Sequence, residues 1–466
     1  MKMGKVVMVL AVMVLFNLSS CSAWFGSKHK NGRNSILPGV APSSRSRLLN
    51  PAGSSIVFPL HGNVYPVGFY NVTLNIGQPP RPYFLDVDTG SDLTWLQCDA
   101  PCTHCSETPH PLYKPSNDFV PCKDPLCASL QPTEDYNCEH PDQCDYEINY
   151  ADQYSTFGVL LNDVYLLNFT NGVQLKVRMG LGCGYDQVFS PSSYHPLDGI
   201  LGLGRGKASL ISQLNSQGLV RNVIGHCLSS QGGGYIFFGN VYDSARVSWT
   251  PVSSIDSKHY AAGPAELVFG GRKTGVGSLT AVFDTGSSYT YFNSRAYLAL
   301  ISWLKKELSG KPIKAAPDDQ TLPLCWHGRR PFKSIREVRR YFKPVVLSFT
   351  NGGRVRAQFE IPPEAYLIIS NLGNVCLGIL NGSEVGLAEL NLIGGRNFVV
   401  FIPSLSSFWF LFWILDDITC VTILHIIAYA DISMQEKVMV FENEKQLIGW
   451  GSADCSHVPK SRDFSI

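Results

Sequence analysis

Two copies of one tetrapeptide constrain this chain more than any other feature. Asp88-Thr89-Gly90-Ser91 and Asp284-Thr285-Gly286-Ser287 each follow an apolar run, Tyr83 to Val87 and Leu279 to Phe283. Short apolar runs closed by turn-forming residues predict buried strands, here ending on an aspartate. Gly90 and Gly286 suit a sharp turn, and the hydroxyls of Thr89, Ser91, Thr285 and Ser287 can donate to a carboxylate that is costly to bury alone. One Asp-Thr-Gly says little. Two identical copies 196 positions apart predict two carboxylates built to meet.

A second repeat supports the first. Ile200-Leu201-Gly202 ends 114 positions after Asp88, and Leu392-Ile393-Gly394 ends 110 after Asp284, so the chain has two related halves. With these motifs the chain resembles the pepsin-like aspartic proteases, from about Phe69 to Cys455. The wording from Asp86 to Cys98 is most similar to the nucellin-like plant branch. The resemblance implies a β-rich (all-β class) bilobal fold with a cleft between two related lobes and a few short helices. It implies an N-terminal lobe over 61–240 and a C-terminal lobe over 241–455, followed by a polar tail at 456–466. It also implies an aspartic endopeptidase with Asp88 and Asp284 as catalytic dyad, acting on peptide or protein substrates as a monomer. Two adjacent carboxylates cannot both ionise readily, so the pair holds one proton over an acidic range. One carboxyl then serves as base toward a water and the other as acid toward the peptide carbonyl. That chemistry requires no metal and no cofactor. A catalytically silent pepsin-fold binding or inhibitor protein is the contrasting expectation.

Charge excludes little but directs the reading. With 38 basic and 37 acidic residues the net charge is +1, which favours neither nucleic acid nor an anionic membrane as partner. Lys2 and Lys5, the apolar run Val6 to Leu18 and Cys21-Ser22-Ala23 read as a signal peptide over 1–23, hence the secretory pathway, with an extracellular (apoplast) or vacuolar destination. Setting aside Cys21 and Cys420 leaves twelve cysteines as disulfide candidates: Cys98, Cys102, Cys105, Cys122, Cys127, Cys138, Cys144, Cys183, Cys227, Cys325, Cys376 and Cys455. Cys325 with Cys376 is the local pair expected in the second lobe. A zinc set of Cys98, Cys102, His104 and Cys105 is the rival reading, disfavoured by an oxidising compartment.

Residues 24–60, basic and rich in Gly, Ser and Pro, read as a propeptide that covers an acidic cleft, with a plain disordered leader as the alternative. Gly68 to Gly77 alternates as an opening strand. Asp86 rivals Asp88 but lacks its own Thr-Gly-Ser turn. The resemblance gives Trp95 a place behind a flap, the hairpin Tyr146 to Leu161, and makes Tyr150 the tyrosine it hydrogen-bonds, with Tyr154 as the other candidate. Helices are expected over Ser209–Gln217, from Asn293 or Ser294 to about Gly310, and after a capping box of Ser334 and Glu337. Asn71, Asn168 and Asn381 lie in glycosylation sequons, Asn71 in a strand where access is poor.

The pattern breaks once. After Leu392-Ile393-Gly394 come 36 residues, Gly395 to Ala430, before Asp431 resumes it. Phe398 to Leu415 is uncharged and long enough to span a membrane, yet a span here would separate strands of one sheet. Pyrimidine-rich intron sequence, read as codons, yields such Phe, Leu, Ile and Ser. Gly395-Arg396 and Ala430-Asp431 can be encoded as a splice donor and acceptor whose joining restores the Asp codon. We read 395–430 as retained intron, against an authentic apolar insertion.

Overall fold

The computed structural model describes residues 55–100, 105–131, 140–150, 154–188, 197–254, 258–351, 354–385, 425–429 and 431–459, with 425–429 as backbone only. The signal peptide, most of the leader, Cys102, His104, Cys138, Leu392-Ile393-Gly394 and 395–424 lie outside the described residues. Among the described residues no helix is long and apolar enough to cross a membrane.

The strand Arg81–Asp88 forms because Tyr83, Leu85 and Val87 alternate into the core. It lies antiparallel to Phe69–Ile76 and parallel to Gly199–Gly202, with Asp88 opposite Gly202. Only a bare α-carbon fits at Gly202, since a Cβ there would lie 2.3 Å from the Asp92 carbonyl oxygen. The second half repeats this plan. Leu279–Phe283 lies antiparallel to Ala261–Phe269 and parallel to His425–Tyr429, with Phe283 opposite Tyr429. His425–Tyr429 also pairs antiparallel with Thr290–Phe292, as Gly199–Gly202 does with Trp95–Gln97. The slot expected for Leu392-Ile393-Gly394 is therefore filled by the end of the extra segment. Covalent proximity to Asp431 decides this, because the residues just before Asp431 are the ones the chain can lay beside Leu279–Phe283.

Among the described residues a thirteen-stranded sheet carries the first half together with the closing strands of the chain, and an eight-stranded sheet carries the second half. The closing hairpin, Lys437–Glu442 with Leu447–Ser452, pairs with Val223–Leu228, so the chain's end joins the sheet of the first half instead of remaining in its own. Ile56–Asn63 also belongs there, with Ile56 to Leu60 paired to Phe238 to Gly234. The leader expected to run to residue 60 thus overlaps a structural strand, whose Ile56 and Leu60 are buried.

The helix Ser294–Leu308 starts where Asn293 accepts a hydrogen bond from the Ala296 N–H at 2.9 Å, and buries Ala296, Tyr297, Leu300 and Leu304. Leu210–Ser216 is capped by Ser209 and followed by Gly218 at φ +69°. The expected Ser334–Glu337 capping box is not made, since the Glu337 carboxylate reaches one residue past the N-cap Ser334. Glu337 accepts from the Lys333 N–H at 3.4 Å, while the Ser334 hydroxyl makes no cap bond.

Disulfides join Cys98–Cys183, Cys127–Cys144, Cys227–Cys455 and the expected Cys325–Cys376. Cys105 and Cys122 are also disulfide-bonded. Cys98 and Cys105 therefore have no thiolate to offer a metal, which removes the zinc reading. Cys227–Cys455 spans 228 residues, and a cross-link of that reach stabilises by about 5 kcal/mol in the chain-entropy account, by restricting the unfolded chain. Of the three sequon asparagines, Asn168 is exposed and Asn71 and Asn381 are half-buried.

Candidate active site

The two Asp-Thr-Gly loops meet at the centre of the molecule with near-twofold symmetry. The Thr89 N–H donates to Thr285 Oγ1 at 3.1 Å, and the Thr285 N–H donates to Thr89 Oγ1 at 3.0 Å. The hydroxyls in turn donate across the interface, Thr89 to the Phe283 carbonyl at 3.2 Å and Thr285 to the Val87 carbonyl at 2.7 Å. The sequence reading gave these hydroxyls to the carboxylates. They serve instead to lock one loop to the other, because a strand-ending threonine points sideways toward its symmetry mate and not back at its own aspartate.

The carboxylates are held by other groups. Asp88 accepts from the Gly90 N–H at 2.7 Å and from the Ser91 hydroxyl at 2.5 Å. Asp284 accepts from the Gly286 N–H at 2.9 Å. Ser287 breaks the symmetry. Its hydroxyl donates to the Tyr289 carbonyl at 3.2 Å, a local turn bond, so the expected support to Asp284 is not made. The glycines let the two acids approach. A Cβ on Gly90 would lie 2.7 Å from Asp284 Oδ2, and one on Gly286 would lie 2.5 Å from Asp88 Oδ1. The carboxyls of Asp88 and Asp284 stand side by side, each against the glycine of the opposite loop. Burial first, and then the charge of Asp88, hold the Asp284 carboxyl well above the ordinary carboxylate range.

The hairpin of Cys144–Asn149 and Ser155–Asn168 leads through Tyr150, which lies near the Asp88 charge. Its Tyr150 hydroxyl accepts from Trp95 Nε1 at 2.7 Å, as the resemblance implied. Burial and then the nearby Asp88 charge raise the Tyr150 hydroxyl far above its usual value, so it stays a neutral donor. Tyr154, the alternative, turns away. Its hydroxyl donates to Gln187 Oε1 at 2.7 Å while its ring stacks on Trp95.

Two carboxylates behind the dyad were not placed in the site by sequence reasoning. Asp431 is 1% exposed, neither of its carboxylate oxygens has a hydrogen-bond partner among the described residues, and its N–H donates to the Ser287 carbonyl at 2.9 Å. Burial raises its carboxyl strongly, with further contributions from Asp86, Asp284 and Asp88 in that order. Asp86, set aside as the rival of Asp88, is also buried and adds to the upward shift of Asp284. The available signal was an acid in each of two strand-flanking apolar contexts. Nothing local indicated that both would face the same centre.

Fold and site together are those of the pepsin-like aspartic protease family. Comparison with known proteins agrees: residues 70–240 match the domain described as xylanase inhibitor N-terminal and residues 255–401 the one described as xylanase inhibitor C-terminal. The chain belongs to the pepsin-like aspartic protease family. An aspartic proteinase of Oryza sativa subsp. japonica is 39% identical over 426 residues, covering 89% of this chain and 94% of that one. Aspartic proteinase 39 of Arabidopsis thaliana is 26% identical, over 99% of this chain and 91% of that one. The fold is similar to basic 7S globulin from soybean, with TM-score 0.61 and 17% identity over 88% of this chain and 99% of that one. It is also similar to conglutin gamma from lupine seeds, with TM-score 0.59 and 18% identity over 89% and 97%.

Proposed function

We propose that this chain is an aspartic endopeptidase that hydrolyses peptide bonds at acidic pH. The observation that carries the proposal is the reciprocal approach of Asp88 and Asp284 through Gly286 and Gly90. It sets two carboxyls side by side, and burial with the Asp88 charge raises Asp284, so the pair shares a single proton over an acidic range. The ionised carboxyl takes a proton from a water as its oxygen bonds to the peptide carbonyl carbon. The protonated carboxyl gives its proton to the carbonyl oxygen, forming a neutral tetrahedral diol. Collapse of the diol breaks the C–N bond after proton transfer to nitrogen, releasing an acid and an amine and restoring the pair. Tyr150, neutral and fixed by Trp95, closes over the substrate. The disulfides accord with a secretory location, apoplast or vacuole.

A non-catalytic binding role is the second reading, favoured by the inhibitor description of the matched domains and by the likeness to globulins. Intact carboxyls with their glycines weigh against it. A third arrangement concerns residues 395–430: if they are retained intron, the working enzyme lacks them and the full chain is impaired. The test is cleavage of a quenched fluorescent peptide at about pH 4, with and without pepstatin, by the full chain and by a chain lacking 395–430. Pepstatin-sensitive cleavage by either form supports the peptidase. Folded, leader-free protein of both forms that cleaves nothing would establish the binding reading in its place.

A further inference from the structure

The chain as a whole is almost neutral, but residues 305–343 hold eleven lysines and arginines against four acids, a net +7 in a protein of net +1. Tertiary structure gathers them. Lys314 lies opposite His327 where Lys314–Ala315 pairs with Cys325–His327. The loop that follows is tied down by the Phe332 N–H donating to the Gly373 carbonyl at 2.8 Å. Trp326 packs edge-on against Phe342 at 5.7 Å, which ties the strand Cys325–His327 to the chain just after the short helix Ile335–Val338.

Three nearby acids are already engaged, while Asp318 and Glu337 are exposed and Glu337 accepts only the Lys333 N–H at 3.4 Å. Glu307 takes Lys311 and Lys343, and Glu364 takes Arg339. Asp319 is buried, and Ser370 and Asn374 donate to its carboxylate at 2.6 and 2.8 Å. Lys314, Arg329, Arg330, Lys333 and Arg336 are left exposed, with no carboxylate within ion-pair distance among the described residues. A face needed only for solubility mixes both signs, whereas clustered like charges repel one another until a polyanion lies across them.

We propose that this face binds a linear acidic polysaccharide, whose spaced carboxylates or sulfates the guanidinium groups of Arg329, Arg330 and Arg336 can grip in pairs. Disulfides place the chain in an oxidising compartment, away from nucleic acid. The segment offers no exposed large hydrophobic residue to enter a membrane. It also offers no free aromatic platform for bases, since Trp326 is half-buried and Arg340 lies over the Tyr341 ring at 4.9 Å. The inference stands independently of the peptidase reading.

The experiment measures binding of the full-length protein to polygalacturonate across a sodium chloride series, beside a neutral dextran, a DNA duplex and anionic vesicles. The patch variant is Arg329→Gln, Arg330→Gln, Lys333→Gln and Arg336→Gln. A matched variant removes four exposed charges elsewhere, Arg81→Gln, Lys176→Gln, Arg354→Gln and Arg356→Gln. We expect binding that weakens with salt, a loss of about tenfold or more in the patch variant with a shallower salt dependence, and a change under about twofold in the matched variant. Thermal midpoints show that both variants are folded. Equal loss in the two variants, or no binding of polygalacturonate by the natural chain at low salt, would overturn the proposal. Tighter binding of DNA or vesicles than of polygalacturonate would overturn the choice of partner.

Discussion

Gly286 approaches Asp88 so closely that a Cβ on the glycine would lie 2.5 Å from the carboxylate oxygen Oδ1. Each acid is thus roofed by the glycine of the opposite loop. The repeated tetrapeptide is a pair of interlocking parts, more than two copies of a turn. Methyl groups in those gaps must push the loops apart. We expect Gly90→Ala or Gly286→Ala to lower kcat by about a hundredfold or more, because displacements below an ångström already spoil alignment at a reacting centre. Steady-state kinetics beside a thermal melt make the check, and unchanged kcat in either variant would refute the packing argument.

Tyr150 and Trp95 form one unit through a 2.7 Å hydrogen bond. Tyr150→Phe should cost about tenfold in kcat/KM, and Trp95→Phe should cost a similar factor. The double variant should be little worse than either alone, since each removes the same bond. Fully additive losses would show that the two side chains act separately.

Asp431 sets a pH dependence of stability. Its folded-state pKa is raised above the ordinary 3.8, so folding is most favoured below that value and loses stability as pH rises toward the folded value. Asp431→Asn removes the ionisation while keeping the shape. The variant should match the natural chain near pH 4 and melt at a higher temperature near neutrality. A parallel pH profile for the two proteins would show that Asp431 titrates normally.

His226 acts in the opposite direction. It is fully buried, neither ring nitrogen has a partner among the described residues, and burial lowers its pKa from 6.5 to about 3. The unfolded chain gains that proton first, so stability is lost as pH falls from 6.5 toward about 3. At pH 4 the penalty approaches about 3 kcal/mol. His226→Leu should therefore raise the thermal midpoint at pH 4 more than at pH 7. An equal change at both pH values would mean that the imidazole is already charged in the fold.

Removing 395–430 joins Gly394 directly to Asp431. Leu392-Ile393-Gly394 then stands immediately before Asp431, where the strand His425–Tyr429 now pairs with Leu279–Phe283. Gly394 then takes the place beside Asp284 that Gly202 has beside Asp88. The shortened chain should be more stable and should carry the higher peptidase activity. Equal or greater activity in the full chain would identify the 36 residues as an authentic part of the enzyme.

Much of this was legible in the residues because it depends on short-range patterns. The strands leading into the dyad, the helix capped by Asn293 and the cap at Ser209 each follow from a few neighbouring side chains, and the dyad from the repetition of one local motif. The pairing of Tyr150 with Trp95 required the family resemblance, since 55 positions separate them.

What the sequence determined by itself is that two strands would each end on an aspartate at a glycine turn. Alternation, turn chemistry and capping act over a few residues, and they are written locally. Only the tertiary structure decided that Thr89 and Thr285 lock the loops while Ser287 turns aside, that Asp431 is buried, and that Lys314 lies opposite His327, two residues before Arg329. Those outcomes depend on which distant segments meet. In a sheet whose neighbours come from opposite ends of the chain, burial and electrostatics are properties of the assembled contacts and not of any stretch of residues.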